Sequence, residues 1–261
     1  MSNALIGFSG FVGSTLLKQQ PFEKLYRSTN IGDIDGRTFS TVVCAGAPAQ
    51  KWLANREPEA DLAKINKLIN HLKTIKCTTF VLISTVDVFK IPQNVDESTP
   101  IVEDGLHAYG LHRRRLEMFV ENHFENYLIV RLPGLVGPGL RKNVIFDFLN
   151  NNNLTAIDGR GVFQFYPMVN LWFDIQIALN EGLKLVHLTA APISVKQIAQ
   201  EGFGMPFDQV KEAAPGYYDM QTCYADKFGV AGHYQYSASE TLQAVRAYHQ
   251  SEPLTALGGQ S

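Results

Sequence analysis

The feature that most constrains the fold is a short apolar segment that runs into a glycine-rich turn near the start of the chain. Residues 4–6 are typical of a buried strand, glycines follow at positions 7, 10 and 13, and a helical pattern begins at Ser14. The first glycine permits a tight turn from strand to helix, the second lets backbone approach a pyrophosphate, and the third lets helix and strand pack together. Free N–H groups at the helix start then face the anion. The pattern predicts a dinucleotide-binding turn, although glycine-rich turns also serve simply as connections. The residues expected to line it are Gly7, Ser9, Gly10, Phe11, Val12 and Gly13.

The rest of the chain alternates apolar runs with segments of helical periodicity. Short runs rich in β-branched residues recur at 41–45, 80–83, 127–130 and 185–188. Each is short enough for a fully buried parallel strand. Helical periodicity covers 60–72, 111–124 and 171–181. This alternation predicts an α/β fold with a doubly wound parallel sheet, the Rossmann fold.

Two stretches depart from this alternation. A weaker strand at 24–27 precedes a polar stretch, residues 28–40, that is too short for a full crossover helix, so we expect an abbreviated connection there. From about Pro192 the pattern changes to short helices and loops. We therefore expect a dinucleotide-binding Rossmann domain over 1–190 and a small C-terminal substrate-binding subdomain over 191–261, with part of 139–170 contributing to the substrate site.

Composition favours a small-molecule partner. The chain has 261 residues, 45% of them hydrophobic, enough to bury a large core, and its net charge of −2 gives no reason to expect nucleic acid or an anionic membrane as partner. The three cysteines are widely spaced and show no metal or redox pattern, which indicates a reducing cytoplasmic location and no metal site. No signal peptide or apolar run of membrane-spanning length is visible.

Further segments with recognisable chemistry follow the glycine turn in a fixed order. They are Ile83 to Phe89 after a strand, Asp96 to Pro100, Tyr109 to Arg113 at the start of a helix, and Arg131 to Gly139. Together with the turn, these segments resemble the extended short-chain dehydrogenase/reductases, also called the NAD-dependent epimerase/dehydratase family. The segment after the strand and the short second crossover are most similar to dTDP-4-dehydrorhamnose reductases and related sugar-nucleotide enzymes.

The resemblance implies a catalytic group. Tyr109 matches the tyrosine that donates a proton to a carbonyl oxygen as hydride arrives from the nicotinamide, or removes it in reverse. A phenol with an ordinary pKa of ~10 needs a neighbouring cation to ionise near neutrality. The family has lysine four residues later, whereas this chain has Arg113, one helical turn away on the same face. Thr85 matches the hydroxyl residue that holds the substrate oxygen.

The second strand bears on the choice of cofactor. An acid at the end of this strand binds the ribose of NAD, whereas an arginine accommodates the 2′-phosphate of NADP. Here Arg27 and Ser28 follow the strand, which favours NADP over NAD, while Asp33 lies close to the distance expected of a ribose-binding acid. The resemblance instead assigns Asp33 and Ile34 to the adenine, with Ile34 packing on the ring.

The remaining candidates come from loops that follow strands. We expect small residues to lie along the dinucleotide and a proline to lie near the nicotinamide, but ordinary turn chemistry explains them as well. These cofactor candidates are Ala45, Gly46, Ala47 and Pro133. The substrate candidates are Asp87, Arg141 and Asn143. The cations Arg141 and Lys142 would suit a nucleotide diphosphate, although exposure on a surface loop explains them at least as well. A capping role in a loop is the simpler explanation of Asp87.

Three functions fit this sequence. The first is an NAD(P)-dependent oxidoreductase or epimerase acting on a carbonyl or hydroxyl of a sugar nucleotide, with Tyr109 as the proton donor. The second is a dinucleotide-binding sensor or partner-binding subunit that has lost the chemistry, because the lysine is missing. The third, a structural subunit that binds no nucleotide, fits the intact glycine spacing poorly. The resemblance also implies a possible homodimer through the helices at 60–72 and 111–124.

Overall fold

The computed structural model describes residues 2–254, so Met1 and residues 255–261, the outer ends of the two predicted domains, lie outside the described part. In chain order the strands are β1 (Ala4–Ile6), β2 (Lys24–Tyr26), β3 (Thr38–Cys44), β4 (Lys76–Thr85), β5 (Gln93–Val95), β6 (Tyr127–Leu132), β7 (Gly134–Val136), β8 (Val162–Phe163), β9 (Phe165–Pro167), β10 (Leu185–His187), β11 (Ile193–Ser194) and β12 (Asp219–Met220). The helices are α1 (Phe11–Gln19), α2 (Lys51–Arg56), α3 (Pro58–Leu72), α4 (Ala108–His123), α5 (Val144–Asn150), α6 (Leu171–Asn180), α7 (Val195–Gln197) and α8 (Ala238–Ser251).

Six parallel strands form the central sheet, which confirms the predicted fold class. Their spatial order is β10, β6, β4, β3, β1, β2, and each neighbouring pair is parallel. From β1 the chain moves outward to β2 and then returns to the other side of β1 to form β3. This reversal of direction creates a crevice beyond the carboxyl ends of β1 and β3, the usual ligand position in open α/β sheets.

Helices cover both faces of the sheet because its strands are apolar on both sides. On one face α3 and α4 contribute Ile65, Leu68 and Leu116 to a buried core. On the other face Leu16 of α1 and Ile175 of α6 pack against the same strands. The result is the three-layer arrangement expected of βαβ alternation.

The connection from β2 to β3 is as short as predicted. It contains one 3₁₀ turn, Ile31–Ile34, in place of a crossover helix. Ile31 and Ile34 are buried in the core beneath α3, so the turn closes this edge of the sheet with two side chains. Asp33, between them, stays exposed.

The C-terminal part builds a separate apolar core with α5 and β9. Leu242, Val245 and Tyr248 of α8 pack there with residues of α5 and of the segment from Ile193 to Ala199. Ser194 caps α7, since its hydroxyl accepts a hydrogen bond from the Gln197 N–H at 3.1 Å. The division at residue 190 stays a prediction. Among the described residues, no helix is long and apolar enough to cross a membrane.

Candidate functional site

The glycine turn lies at the crevice between β1 and β3. Gly7 follows β1 with φ +86°, and a Cβ there would lie 2.3 Å from the Ala45 oxygen; a Cβ on Gly13 would lie 2.1 Å from the Gly7 oxygen. Both glycines are therefore required by close backbone packing. A Cβ on Gly10, by contrast, would meet only the Gly7 oxygen, at 3.5 Å. The outer side of Gly10 is thus open to a ligand.

Helix α1 presents its N-terminus to the same space. Gly10 is its N-cap and supplies no side-chain hydrogen bond, and the first turn contains no acidic residue. The first N–H groups of a helix have no partner within it, and the helix dipole is positive at this end. Phe11 and Val12 provide these groups, and Ser9 is exposed just before them. The turn has the geometry and charge of an anion site, which fits a pyrophosphate.

Residues after β2 and β3 border this turn. Arg27 is exposed directly after β2, where its Nε donates to the Thr29 hydroxyl at 3.0 Å and its guanidinium lies 5.8 Å from the centre of the Phe8 ring. Ser28 is exposed beside it. Across the crevice, the Ala45 N–H donates to the Ile6 oxygen at 2.9 Å. The further cofactor candidates after β3 and β6 are half-buried: Ala45, Gly46, Ala47 and Pro133.

One predicted contact with the cofactor does not fit the structure. Ile34 has no exposed surface and packs in the core beneath α3, so it offers nothing to an adenine ring. The three-residue repeat of the 3₁₀ turn explains this placement. It puts Ile31 and Ile34 on the same face, and that face points into the core. Asp33 remains available to solvent.

Tyr109 lies in the first turn of α4, beside the end of β4. The His107 Nδ1 caps this helix by accepting from the Gly110 N–H at 3.0 Å, and the Asn55 Oδ1 accepts from the Tyr109 N–H at 2.9 Å. A Cβ on Gly110 would lie 2.0 Å from the Asp87 oxygen, so the helix packs directly on the turn after β4. The structure thereby brings the side chains of Tyr109 and Thr85 close together, and Thr85 acts to lower the pKa of the tyrosine hydroxyl.

Arg113 lies under the Tyr109 ring. The guanidinium carbon is 3.9 Å from the ring centre, and no hydrogen bond within residues 2–254 joins the guanidinium to the tyrosine hydroxyl. The same group forms a bidentate ion pair with Asp61 of α3, with Nη2 to Oδ1 at 2.9 Å, and donates to the Pro48 oxygen. Arg113 and Asp61 are only 3% and 4% exposed. The arginine therefore holds α3, α4 and the loop after β3 together.

Charges around Tyr109 act in opposite directions on its hydroxyl. Burial raises the pKa of Tyr109 above its ordinary value, the cation of Arg113 opposes this rise, and Asp87 adds to it. For Asp61, burial raises the pKa, but hydrogen bonds from Arg113 and His112 outweigh it and hold the pKa below its usual range. Asp61 is thus the counter-ion of Arg113. Whether Arg113 also stabilises a phenolate of Tyr109 stays a prediction.

A second charge cluster faces the site from the other side. The Lys51 Nζ of α2 donates to Asp87 Oδ1 at 2.7 Å and to the Tyr218 hydroxyl at 3.2 Å. The Tyr218 hydroxyl also donates to Asp87 Oδ1 at 3.2 Å. The Asp87 N–H donates to the Thr85 hydroxyl at 3.2 Å, which joins this cluster to the end of β4. Asp87 is therefore part of a charge cluster next to Thr85, and its contact with a substrate stays a prediction.

The other two substrate candidates differ in their environment. Arg141 is exposed on the loop before α5. Asn143 is the N-cap of α5: its Oδ1 accepts from the Ile145 N–H at 3.0 Å, and its Nδ2 donates to the Leu135 oxygen at 2.8 Å. This cap occupies the side chain of Asn143, so the predicted substrate contact does not fit its present bonding.

Sequence reasoning missed several residues of the site. Lys51 and Asn55 lie on α2, which has only six residues. A helix this short shows no clear periodicity in the sequence, so it was not predicted. Asp61 lies on the predicted helix, but nothing in the spacing indicates that it meets Arg113. Tyr218 lies beyond the segments with a recognisable motif, and its contact with Asp87 spans 131 positions of the chain. Such long-range pairs leave no local signal.

Comparisons with known proteins give a fold likeness. No family model matches the chain, and no curated protein matches it. Among solved structures, a UDP-glucose 4-epimerase of Thermotoga maritima with UDP-glucose superposes with a TM-score of 0.68 at 14% identity, covering 96% of this chain and 98% of the other. A dTDP-4-dehydrorhamnose reductase of Yersinia enterocolitica gives a TM-score of 0.70 at 15% identity, with coverage of 96% and 99%.

A third similar structure is RMD of Pseudomonas aeruginosa complexed with NADPH, with a TM-score of 0.69, 16% identity and coverage of 96% and 99%. This chain has their fold. The likeness extends over almost the whole length of both partners, so the C-terminal part is included in it. It confirms the fold that the sequence resemblance implied.

The buried pair beneath Tyr109 generates a stability prediction. We expect Asp61→Asn to lower the free energy of unfolding by about 3–5 kcal/mol, because it leaves the charge of Arg113 buried without a counter-ion. Urea unfolding followed by circular dichroism measures this. The matched control is Asp208→Asn, which breaks an exposed pair with Lys196 and should cost under about 1 kcal/mol. Equal effects of the two substitutions would contradict a structural role for the buried pair.

Proposed function

We propose that the protein is an NAD(P)-dependent oxidoreductase or epimerase that acts on a carbonyl or hydroxyl group of a sugar nucleotide. The observation that carries this proposal is the pairing of two features at one edge of the sheet. A turn open to an anion follows β1, and a buried tyrosine, Tyr109, lies beside Thr85 at the end of β4. The carboxyl ends of parallel strands meet at that edge, so both can face one ligand.

The residues present fit a dinucleotide. The turn offers free N–H groups, no acidic side chain, and an open side at Gly10 that a pyrophosphate would fill. Arg27 lies exposed after β2, in a position to meet a 2′-phosphate, and no acid occupies the end of that strand. We therefore infer that NADP is preferred over NAD, with the exposed Asp33 as the feature that would favour NAD.

A bound nicotinamide would supply or accept a hydride at the inner end of this site. Tyr109 would donate the proton to the substrate oxygen, and Thr85 would hold that oxygen through its hydroxyl. Because the hydroxyl of Tyr109 is buried and its pKa raised, it is protonated at neutral pH, which suits a general acid for carbonyl reduction. Burial also keeps water away from the reacting atoms.

The substrate class rests on the solved structures. The similar proteins are named as a UDP-glucose 4-epimerase and a dTDP-4-dehydrorhamnose reductase, both enzymes of sugar nucleotides. In this chain the exposed Arg141 beside Lys142 offers cations to a diphosphate. A homodimer through α3 and α4 also remains a prediction; these helices share an outer groove lined in part by Ile69, Met118 and Phe119.

A second candidate is a dinucleotide-binding sensor. The observation that favours it is the ion pair between Arg113 and Asp61, since this cation lies against the ring of Tyr109 and is already neutralised. A sensor would bind the dinucleotide and perform no hydride transfer. Turnover of a substrate therefore separates the two candidates.

The cofactor preference generates a binding prediction. We expect Arg27→Ala to weaken NADPH binding by about 10- to 100-fold, the value of a hydrogen bond to a charged group, and to leave NADH binding unchanged. Fluorescence titration of the purified protein with each nucleotide measures this. Lys18→Ala, at the opposite end of α1, is the control and should alter neither affinity. Equal loss for both nucleotides would refute a contact with the 2′-phosphate.

The reaction itself generates a kinetic prediction. We expect NADPH to be oxidised in the presence of a sugar-nucleotide ketone, and Tyr109→Phe to slow this at least ~100-fold through loss of the general acid, with NADPH affinity unchanged. Absorbance at 340 nm follows the reaction across a panel of such ketones. Tyr127→Phe, at the start of β6, is the matched control. Binding of NADPH without oxidation by any ketone would favour the sensor.

A further inference from the structure

Lys51 and Asp87 form an ion pair at the turn after β4, where the Asp87 N–H donates to the Thr85 hydroxyl and the Asp87 oxygen packs against Gly110 of α4. Three contacts close the cluster, since Lys51 Nζ reaches both Asp87 and Tyr218, and the Tyr218 hydroxyl reaches Asp87. The side chains of Lys51 and Asp87 are only 38% and 16% exposed. A pair screened this little by water acts on its neighbours more strongly than a surface pair does.

Backbone contacts hold this pair close to the tyrosine. The Asp87 oxygen packs against Gly110, the residue after Tyr109. Helix α2 carries Lys51 one turn before Asn55, whose side chain accepts from the Tyr109 N–H at 2.9 Å. Lys51 lies on α2 and Asp87 lies in a 3₁₀ turn, and both elements contact α4. The positions of the two charged residues relative to Tyr109 are therefore fixed.

Arg113 is poorly placed to vary the charge at the hydroxyl. It stacks on the ring and is neutralised by Asp61. Building on the proposed function, we propose that the Lys51–Asp87 ion pair is the device that controls the ionisation of Tyr109, with Lys51 and Asp87 as positioning residues of opposite effect.

The two members have opposite signs of action. The Asp87 carboxylate raises the pKa of Tyr109, and the Lys51 ammonium lowers it. Lys51 itself is a stable cation, because Asp87 and Tyr218 outweigh the effect of burial and raise its pKa. The two members oppose each other at the hydroxyl, so loss of one leaves the effect of the other unopposed.

Within residues 2–254, further charged or titratable groups around Tyr109 lie on four elements. From α4 and its N-cap come Arg113 and His107, and burial together with the charge of Lys51 lowers the pKa of His107, so that it is neutral where a phenol titrates. From α3 comes Asp61, which is bound to Arg113 and to His112 of α4. The loop before α5 brings Lys142, which lies within the field of Asp87 and Arg113. The segment before β12 brings Tyr218.

The test measures the ionisation of Tyr109 directly. Fluorotyrosine is incorporated into the purified full-length protein, because its phenol is more acidic than tyrosine and titrates where the fold survives. The ¹⁹F NMR resonance of residue 109 is assigned by its loss in Tyr109→Phe, and its pH titration is recorded without nucleotide or substrate. Circular dichroism at each pH confirms that the protein remains folded.

We expect opposite shifts from the two charge removals. Lys51→Met should raise the midpoint for residue 109 by about one pH unit, and Asp87→Asn should lower it by about as much, as nearby charges do. The variant with both substitutions should have a midpoint close to that of the wild type. Lys51→Arg, which keeps the positive charge, should also leave the midpoint near the wild-type value. Lys18→Met, which removes a distant lysine, should leave the midpoint unchanged. Tyr218→Phe, which removes a hydroxyl but no charge, should shift it less than Lys51→Met.

Midpoints that stay at the wild-type value in both single variants, or that move in the same direction, would overturn the proposal. An activity measurement separates this failure from failure of the proposed function. If ketone reduction occurs, the alkaline limb of kcat/KM reports the loss of the acid form, and Lys51→Met should move it to higher pH. Opposite NMR shifts without any turnover would leave the ion-pair effect standing and refute the enzyme reading. Turnover without any NMR shift would support the enzymatic function and refute control of Tyr109 by the ion pair.

Discussion

The structure depends on the close approach of three backbone segments at the carboxyl ends of β1 and β3. Gly7, Gly13 and the Ala45 oxygen lie so near one another that a single added Cβ would collide with backbone. This packing fixes where α1 begins and turns its free N–H groups toward the crevice at the reversal of strand order. The position of an anion site is therefore a consequence of how the sheet and its first helix pack, before any side chain is considered.

Buried charges arrange the other half of the site. Arg113 and Asp61 tie α4 to α3 and to the loop after β3, and this fixes the ring of Tyr109 from below. Lys51 and Asp87 are bonded to each other and to Tyr218 of the C-terminal part. Because a buried cation needs a fixed partner, Arg113 also restrains the helix that carries it. One ion pair therefore holds the tyrosine ring, and a second lies at the turn that follows Thr85.

The sequence predicted the parts of this arrangement that have a local period or a local motif. The strands, the helices that flank them, the short turn after β2 and the contact of Tyr109 with Thr85 all follow from such patterns. Ile34 was assigned to a cofactor because its motif carries no information about which face is buried. Asn143 was assigned to substrate although its capping role depends on a local helix, α5, that the periodicity did not reveal. The meetings of Arg113 with Asp61 and of Asp87 with Tyr218 join residues 52 and 131 positions apart, which only the folded chain brings together.

Hydrogen exchange of the protein with and without saturating NADPH, read by mass spectrometry, tests most directly that the dinucleotide lies in the crevice between β1 and β3. The account predicts slower exchange in peptides covering 7–14 and 45–48, because a bound dinucleotide would cover these two segments and the N–H groups at the start of α1, and unchanged exchange in α8. Protection confined to other segments, or no protection at nucleotide saturation, would contradict a dinucleotide site at the glycine turn.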